Sequence, residues 1–179
     1  MGDFPGIAGL YAPRIMISSV GANSPCGESS QICGQAGASA VWPAANRAIY
    51  IPVLIERTVT ITQMAAYNGT VVNGNVDIGI CDLSNNRLVS SGATLQAGTS
   101  TLQVFNITDT TLSPGVYYWS LMSTSGTATF WRTTVNVLVL NACGAGQEAT
   151  GGTIPATITP VAAANSYLPV FGATGVTVL

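Results

Sequence analysis

The fold of this chain is decided by one stretch of sequence: GNVDIGICD at residues 74–82, the turn LSNN at 83–86 and the return segment RLVSSG at 87–92. Val76, Ile78 and Ile80 alternate with small or polar residues, which is the pattern of a strand with one buried face. Two such segments joined by a short polar turn predict a β-hairpin. The same pattern places Asp77 on the solvent face of the hairpin.

The segments around this hairpin follow the same period of two. Residues 47–56 alternate apolar side chains at Ile49, Ile51, Val53 and Ile55 with Tyr50, Pro52 and Leu54. Because proline lacks an amide proton, the strand is expected at a sheet edge or a bulge near residue 52. In the next strand, the pattern places Val59, Ile61 and Ala65 on one face, opposite the threonines at 58, 60 and 62.

The second half of the chain predicts several more strands. Pro114 and Gly115 form a strong turn signal, since proline presets φ and glycine accepts a positive φ. Strands are expected at 101–107, 116–122, 127–132, 135–140, 157–159, 167–171 and 176–179. About eight or more short strands without helices predict an all-β fold, an antiparallel β-sandwich of jelly-roll type.

Residues 1–40 differ from the rest in composition. Gly, Pro, Ser, Ala and Asn dominate, and the one strand-like run is RIMISS at 14–19. Alone, this segment cannot bury enough apolar surface to offset the entropy lost on ordering. We therefore expect an extended N-terminal arm at 1–40 that lies along the sandwich or a neighbouring subunit, and a β-sandwich domain at 41–179.

The charge inventory excludes several classes of function. Charged residues make up 7% of the chain, all five cations are arginine, and the net charge is −2, against about 25% charged residues in typical domains. Without a basic cluster we expect no nucleic-acid partner, and the apolar runs are too short for a membrane span. The first residues lack the features of a signal peptide. So few charges favour subunit packing, and hence a homo-oligomer.

The cysteines and acids leave alternatives open. Cys26 and Cys33 flank a short loop and could form a disulfide outside a reducing compartment, whereas Cys81 and Cys143 are expected as small buried side chains. Asp77, Asp82 and Asn85 offer oxygen ligands of the kind that Ca²⁺ prefers. We favour the simpler interpretation, in which Asp77 faces solvent and Asp82 accepts main-chain hydrogen bonds at the turn. No metal or cofactor is predicted.

We predict that the protein is not an enzyme. It contains no histidine and no lysine, so a nucleophile would depend on an Asp or Glu base. A paired-carboxylate mechanism would need two partners, and nothing in the spacing pairs any of the acids Glu28, Glu56, Asp77, Asp82, Asp109 and Glu148. No catalytic residue is therefore assigned.

Aromatic residues give a second candidate site. Tyr50, Tyr118, Trp119 and Trp131 could form an exposed platform that stacks on sugar rings or meets a partner protein, with Tyr117 and Phe130 beside them. The alternative, which we favour, is that these rings fill the space between two sheets. The acceptor patterns at Asn68 and Asn106 are expected to be turn and strand residues rather than glycosylation sites.

The central half of the chain, residues 46–130, resembles a β-sandwich domain of tailed-bacteriophage virion proteins. The matching pieces are NRAIYIP at 46–52, VTITQ at 59–63, YNG at 67–69, the hairpin at 74–92 and LSPGVYY at 112–118. The resemblance implies a virion protein made in the host cytoplasm, with phage capsid or tail proteins as partners. The small size favours a capsid decoration (cement) protein, expected as a trimer. The alternative is a tail- or head-fibre-associated module that binds host-surface glycan.

Overall fold

The computed structural model describes residues 31–32 and 35–179, with side chains described from residue 37 onward. Its strands are antiparallel, and its one helix in the described residues is α1 (Val137–Ala142). The strands are β1 (Gln31–Ile32), β2 (Gln35–Ala36), β3 (Ala38–Val41), β4 (Arg47–Ile55), β5 (Val59–Tyr67), β6 (Asn75–Asp82), β7 (Arg87–Ser90), β8 (Thr94–Leu95), β9 (Leu102–Leu112), β10 (Gly115–Ser123), β11 (Thr129–Thr133), β12 (Gly146–Ala149), β13 (Val161–Ala162), β14 (Leu168–Pro169) and β15 (Phe171–Val178).

The largest sheet has the strand order β13-β12-β4-β10-β6-β7, with β8 also paired to β6. Strand β10 lies at its centre and pairs along its whole length with β4, from Gly115 opposite Ile55 to Ser123 opposite Arg47. Its other edge pairs with β6. Strand β6 in turn pairs antiparallel with β7, with Ile80 opposite Val89, so the hairpin predicted from the sequence is confirmed.

Two three-stranded sheets, β15-β5-β9 and β14-β11-β3, face the large sheet. Main-chain hydrogen bonds join them at Val170, whose N–H donates to Trp131 O (2.9 Å) and whose carbonyl accepts from Tyr67 N–H (2.9 Å). Strands β1 and β2 form a separate ladder. The all-β antiparallel fold expected from the sequence is thus confirmed at this level.

The main core lies between the large sheet and the two smaller ones. The predicted inward row of β4, together with Trp119 and Leu121 of β10, meets Phe105 of β9 and Phe171 of β15. Trp42, which the sequence did not single out, joins this core with its ring 5.0 Å from Phe130. Burial of this apolar surface is the main favourable term in folding.

Strand β4 has an unpaired side where the sequence predicted one. Strand β12 pairs with β4 only along Arg47 to Tyr50, so none of the described strands lies beside β4 on that side at Pro52. The missing amide proton of Pro52 therefore costs no ladder hydrogen bond.

The strand predicted at 135–140 is wrong, because this segment forms helix α1. Asn136 caps the helix: its side-chain oxygen accepts from Leu138 N–H at 2.8 Å. After the last turn, Gly144 adopts a φ of +79°, which suits the position after a helix end. Only Leu140 of the helix is buried, so apolar composition alone gave the wrong period.

The side chains of β5 change face partway along the strand, which corrects the prediction for Ala65. An irregularity in the pairing of β5 with β9 between Ile61 and Gln63 shifts the alternation. Val59 and Ile61 enter the main core as predicted, but beyond the shift Met64 and Ala66 take that role. Ala65 is buried outside that cluster.

Most of the predicted arm at 1–40, including Cys26 and Cys33, lies outside the described residues. The arm and the disulfide therefore stay predictions. Within the described ranges, no helix is long and apolar enough to span a membrane.

Candidate functional site

A second, smaller core covers the outer face of the large sheet. It contains Ala48, Tyr50, Cys81 and Met122 from the sheet, together with Ile154 and Ile158 from the connection between β12 and β13. We call residues 150–160 the covering segment. Because it lies on the outer face, both faces of β6 are buried, whereas the sequence predicted one.

Main-chain hydrogen bonds hold the covering segment at both ends. Thr150 N–H donates to Asn46 O at 2.7 Å, and Ile158 N–H donates to Asn85 O at 2.8 Å. Arg87 contributes twice: its main-chain N–H donates to Ala156 O at 2.9 Å, and its guanidinium donates to Ile154 O. The segment is thereby attached to the turn of the hairpin.

Asp77 lies under the covering segment and is fully buried, so its predicted solvent exposure is wrong. Its Oδ2 accepts from Ile154 N–H at 2.9 Å, and Ser91 Oγ donates to Oδ1 at 3.4 Å. Burial raises the pKa of the Asp77 carboxyl, because desolvation outweighs these hydrogen bonds. The predicted alternation in β6 is correct, but no local feature of its sequence indicates that a distant segment covers the polar face.

Glu148 is the second buried acid, and it also contacts the covering segment. Its Oε2 accepts from Thr159 N–H at 2.6 Å and from Thr159 Oγ1 at 2.8 Å, and its Oε1 accepts from the Tyr50 hydroxyl. Burial, with the neighbouring Glu148 adding to it, raises the pKa of Tyr50. Both buried acids thus act as acceptors that attach one loop to the sheet.

The alternative of a Ca²⁺ site does not fit this geometry. Asp77 lies within β6 beneath the covering segment, whereas Asp82 lies at the turn, about 16 Å further along the strand. Asn86 N–H donates to Asp82 Oδ1 at 2.8 Å, and this bond holds the pKa of Asp82 below its usual value. The predicted role of Asp82 at the turn is confirmed. In the part of the chain that the structure describes, no group of three or more acidic or cysteine side chains is placed to bind a metal.

The four candidate aromatic residues do not form one platform. Trp119 is fully buried in the main core, and Tyr50 is fully buried under the covering segment. Tyr118 is half-buried beside Tyr50, at a ring distance of 6.3 Å. Trp131 is half-buried on β11, a strand of a different sheet, 5.8 Å from Tyr67. The interpretation that the rings fill the space between sheets is confirmed for Trp119 and Phe130, whereas Tyr50 is buried on the outer face, under the covering segment.

A network of buried amides, which the sequence did not reveal, holds the loop before β9. Asn68 Nδ2 donates to Ala97 O at 2.7 Å and to Gln103 Oε1 at 2.9 Å, and Gln96 Nε2 donates to Asn68 Oδ1 at 3.0 Å. Asn68 is fully buried, so its side chain serves the fold, as expected from the turn interpretation.

One open side of the sandwich carries a polar groove of about 560 Å³. It lies between β7 and β9 and is lined by residues that include Arg87, Ser90, Thr108, Asp109 and Thr111. Arg87 already donates to the covering segment, so the groove and the outer core share this side chain.

The outward face of the sheet β15-β5-β9 carries at most one charged side chain, and we call it the neutral face. Strands β5 and β15 contain no charged residue, and β9 contains one, Asp109. Thr177, Thr60 and Thr111 lie abreast across the three strands, and the last two are hydrogen-bonded at 2.9 Å. Gln63 Nε2 donates to Asn106 Oδ1 at 2.9 Å on neighbouring strands. Such a face suits contact with another neutral protein surface.

Comparison of the chain with protein-family models, with curated proteins and with solved structures found no match. The resemblance to phage virion domains therefore stays a prediction from the sequence.

Proposed function

We propose that this protein is a structural component of a larger assembly and, following the resemblance of residues 46–130, a capsid decoration protein of a tailed phage. The jelly-roll description of the sandwich, the N-terminal arm and a trimeric state belong to this proposal. Its partners would be shell proteins and further copies of itself.

The observation that carries the proposal is the neutral face of the sheet β15-β5-β9. Threonine, asparagine and glutamine side chains on it are already paired across the strands, so little ordering is needed when another surface covers them. A protein whose contacts are neutral avoids the desolvation cost of burying unpaired charges.

Use of the buried polar groups supports the same view. Asp77 and Glu148 accept hydrogen bonds from the covering segment, and Tyr50 donates to Glu148. These are interactions that hold a loop on a sheet. The exposed surface, rather than this cluster, is therefore the part we assign to function.

The mechanism of such a protein is mechanical. Each copy buries a modest apolar and neutral polar area against its neighbours, and symmetry repeats that contact over the whole shell. The assembly gains stability from the number of contacts, with no chemical step.

The test is the copy number in purified particles, measured by quantitative mass spectrometry against the major shell protein. Decoration predicts on the order of hundreds of copies, as symmetric repetition requires. A few copies to a few dozen would contradict decoration and favour a tail position, and complete absence would contradict the virion assignment.

Salt dependence gives a second readout. Because the proposed contact is neutral, attachment should survive about 1 M NaCl, where the Debye length is only about 3 Å. Release at that salt concentration would show that charges carry the attachment and would contradict a neutral contact face.

The glycan-binding alternative has weaker support. Two of its four aromatic residues, Tyr50 and Trp119, are fully buried. The other two lie on strands of different sheets, so they offer no common surface for one sugar chain.

A further inference from the structure

Strand β15 is an edge strand that carries neither a charged residue nor a proline. Within the described residues it pairs with β5 and has no strand on its other side. Edge strands in natural sheets commonly carry charges or proline, which prevent pairing with other chains. Strand β15 has neither, and no charged residue follows Glu148 in the sequence. Irregular pairing is confined to residues 173–176, so residues 176–178 pair regularly with β5.

The apolar side chains at this edge face the core side and yet are exposed. Val176 is the register partner of Ile61, and Val178 is the register partner of Val59. Directly opposed residues share a face of the sheet, and both partners on β5 belong to the main core. Nevertheless Val176 is 41% exposed and Val178 is 59% exposed. At β15, therefore, the core-side face of the sheet extends beyond the residues that bury it, and its two valines are exposed.

The main-chain groups of these two valines point to the free edge. Leu179 N–H donates to Thr58 O at 3.0 Å, so the groups of residue 179 face β5. Because alternate residues of an antiparallel strand hydrogen-bond to opposite edges, the N–H and carbonyl groups of Val176 and Val178 face outward. The side chain of Thr177 lies between them on the neutral outer face.

We propose that the free edge of β15 pairs antiparallel with β15 of a second copy, about a two-fold axis at Thr177. Val176 then forms a hydrogen-bonded pair with Val178 of the second copy, and Thr177 faces Thr177 of the second copy. The result is a continuous six-stranded sheet. The proposal rests on the proposed function for the need of subunit contacts, and it names a two-fold contact that is separate from the three-fold contacts of the proposed trimer.

A second copy fits this edge because the strand is complementary to itself. The two-fold axis pairs each exposed valine with a valine, so both gain apolar cover on the core side. The absence of charge means that no like charges meet across the axis, where they would be unfavourable. The threonine row Thr177–Thr60–Thr111 continues into that of the second copy on the outer face. Isologous two-fold contacts are the commonest form of self-association.

The test changes the charge at the axis. Thr177→Lys and Thr177→Glu, each made in the full chain, should leave the monomer folded because residue 177 is exposed. Each variant places two like charges face to face and should raise the dimer dissociation constant at least about tenfold. An equimolar mixture of the two variants should restore association, because opposite charges then meet. Sedimentation equilibrium from about 1 to 100 μM measures all three.

The matched control is Thr108→Lys, an exposed threonine on β9 at the opposite edge of the same sheet. It should associate like the wild type, and circular dichroism should show the native fold in every variant. A wild type that stays monomeric over this range would overturn the proposal, as would a mixture that fails to restore association. A trimer that is unaffected by both substitutions of Thr177 would also overturn it. Copy number in particles is measured separately, so failure of this contact is distinguishable from failure of the proposed function.

Discussion

The large sheet packs a core on each of its faces, and the two cores are built differently. The inner core consists of apolar side chains, most of them from strands of three sheets. The outer core has fewer apolar residues and adds Asp77, Glu148 and the hydroxyl of Tyr50 under a loop. One core depends on area and close packing, and the other depends on hydrogen bonds with fixed directions.

This difference teaches where the molecule tolerates change. Apolar packing is non-directional, so volume-conserving substitutions inside the inner core should cost little. A buried acceptor has specific donors, and its removal leaves each of them unsatisfied. The outer core should therefore be the less tolerant of conservative changes, although it is smaller.

The largest effect is expected at Trp119, which is fully buried in the inner core. Trp119→Ala should reduce the free energy of unfolding by about 3–5 kcal/mol, because it removes apolar contacts and leaves a cavity. Urea unfolding measures the loss. Val116→Ala, at an exposed position of the same strand, is the control and should cost far less. Similar losses for both would contradict the position of the inner core.

A smaller loss is expected for Glu148→Ala in the outer core. Three donors lose their acceptor, namely the Tyr50 hydroxyl and the N–H and hydroxyl of Thr159. We expect a loss of about 2 kcal/mol in the free energy of unfolding. Glu148→Gln keeps one acceptor oxygen and should cost less. If the alanine variant were as stable as wild type, the outer core would not depend on directed hydrogen bonds.

The outer core should also give stability a dependence on pH that the inner core lacks. Asp77 has a raised pKa in the folded state, so between its unfolded pKa of about 3.9 and the folded value the folded protein binds more protons. The contribution of Asp77 to the free energy of unfolding is thus present below about pH 4, and it is lost as the pH rises through the pKa of Asp77 in the folded state. Each unit of the raised pKa corresponds to about 1.4 kcal/mol.

Asp77→Asn isolates this contribution. The amide oxygen can still accept from Ile154 N–H, and the amide nitrogen can donate to Ser91 Oγ, but the group no longer titrates. The difference in unfolding free energy between wild type and variant should favour wild type most at acidic pH and shrink as pH rises. A difference that grows with pH would contradict the assignment.

The smallest effect concerns the thiols. Burial raises the pKa of Cys81 to about 12, whereas Cys143 is only half-buried. Since thiolates are the reactive form, a thiol reagent at neutral pH should label Cys143 well before Cys81.

Labelling of Cys81 should accelerate in Glu148→Ala, because the covering segment is released more often. Equal rates in variant and parent would show that the segment does not control access. Cys26→Ser and Cys33→Ser in both proteins remove other signals.

The sequence predicted the inner core because alternation in a strand reports directly on a buried face. The rows at Val76, Ile78 and Ile80, and at Ile49 to Ile55, lie where the pattern placed them. The prediction was wrong in two places where the period of two is broken. One is the bulge in β5. The other is helix α1, where the apolar run favoured a strand although Asn136 and Gly144 are residues typical of helix ends.

The outer core could not be predicted in this way. Its covering segment, TGGTIPATITP at 150–160, contains two buried isoleucines among Gly, Thr and Pro, which is a composition typical of loops. The residues that flank Asp77 and Glu148 in the sequence do not indicate that residues 150–160 supply the hydrogen-bond donors of these two acids. The candidate aromatic site failed for a related reason, because alternation assigns a side chain to a face without saying what lies over that face.

The covering segment also sets an order for folding. The hydrogen bond between Tyr50 and Glu148 joins residues 98 positions apart, and that between Asp77 and Ile154 joins residues 77 apart. Closing such long loops is slow, because the chain must lose conformational entropy before the stabilising contact forms. On a ribosome, the hairpin at 75–90 emerges long before its cover, and its polar face stays hydrated until residues 150–160 arrive. The contacts that enclose the two buried acids therefore form after the hairpin itself.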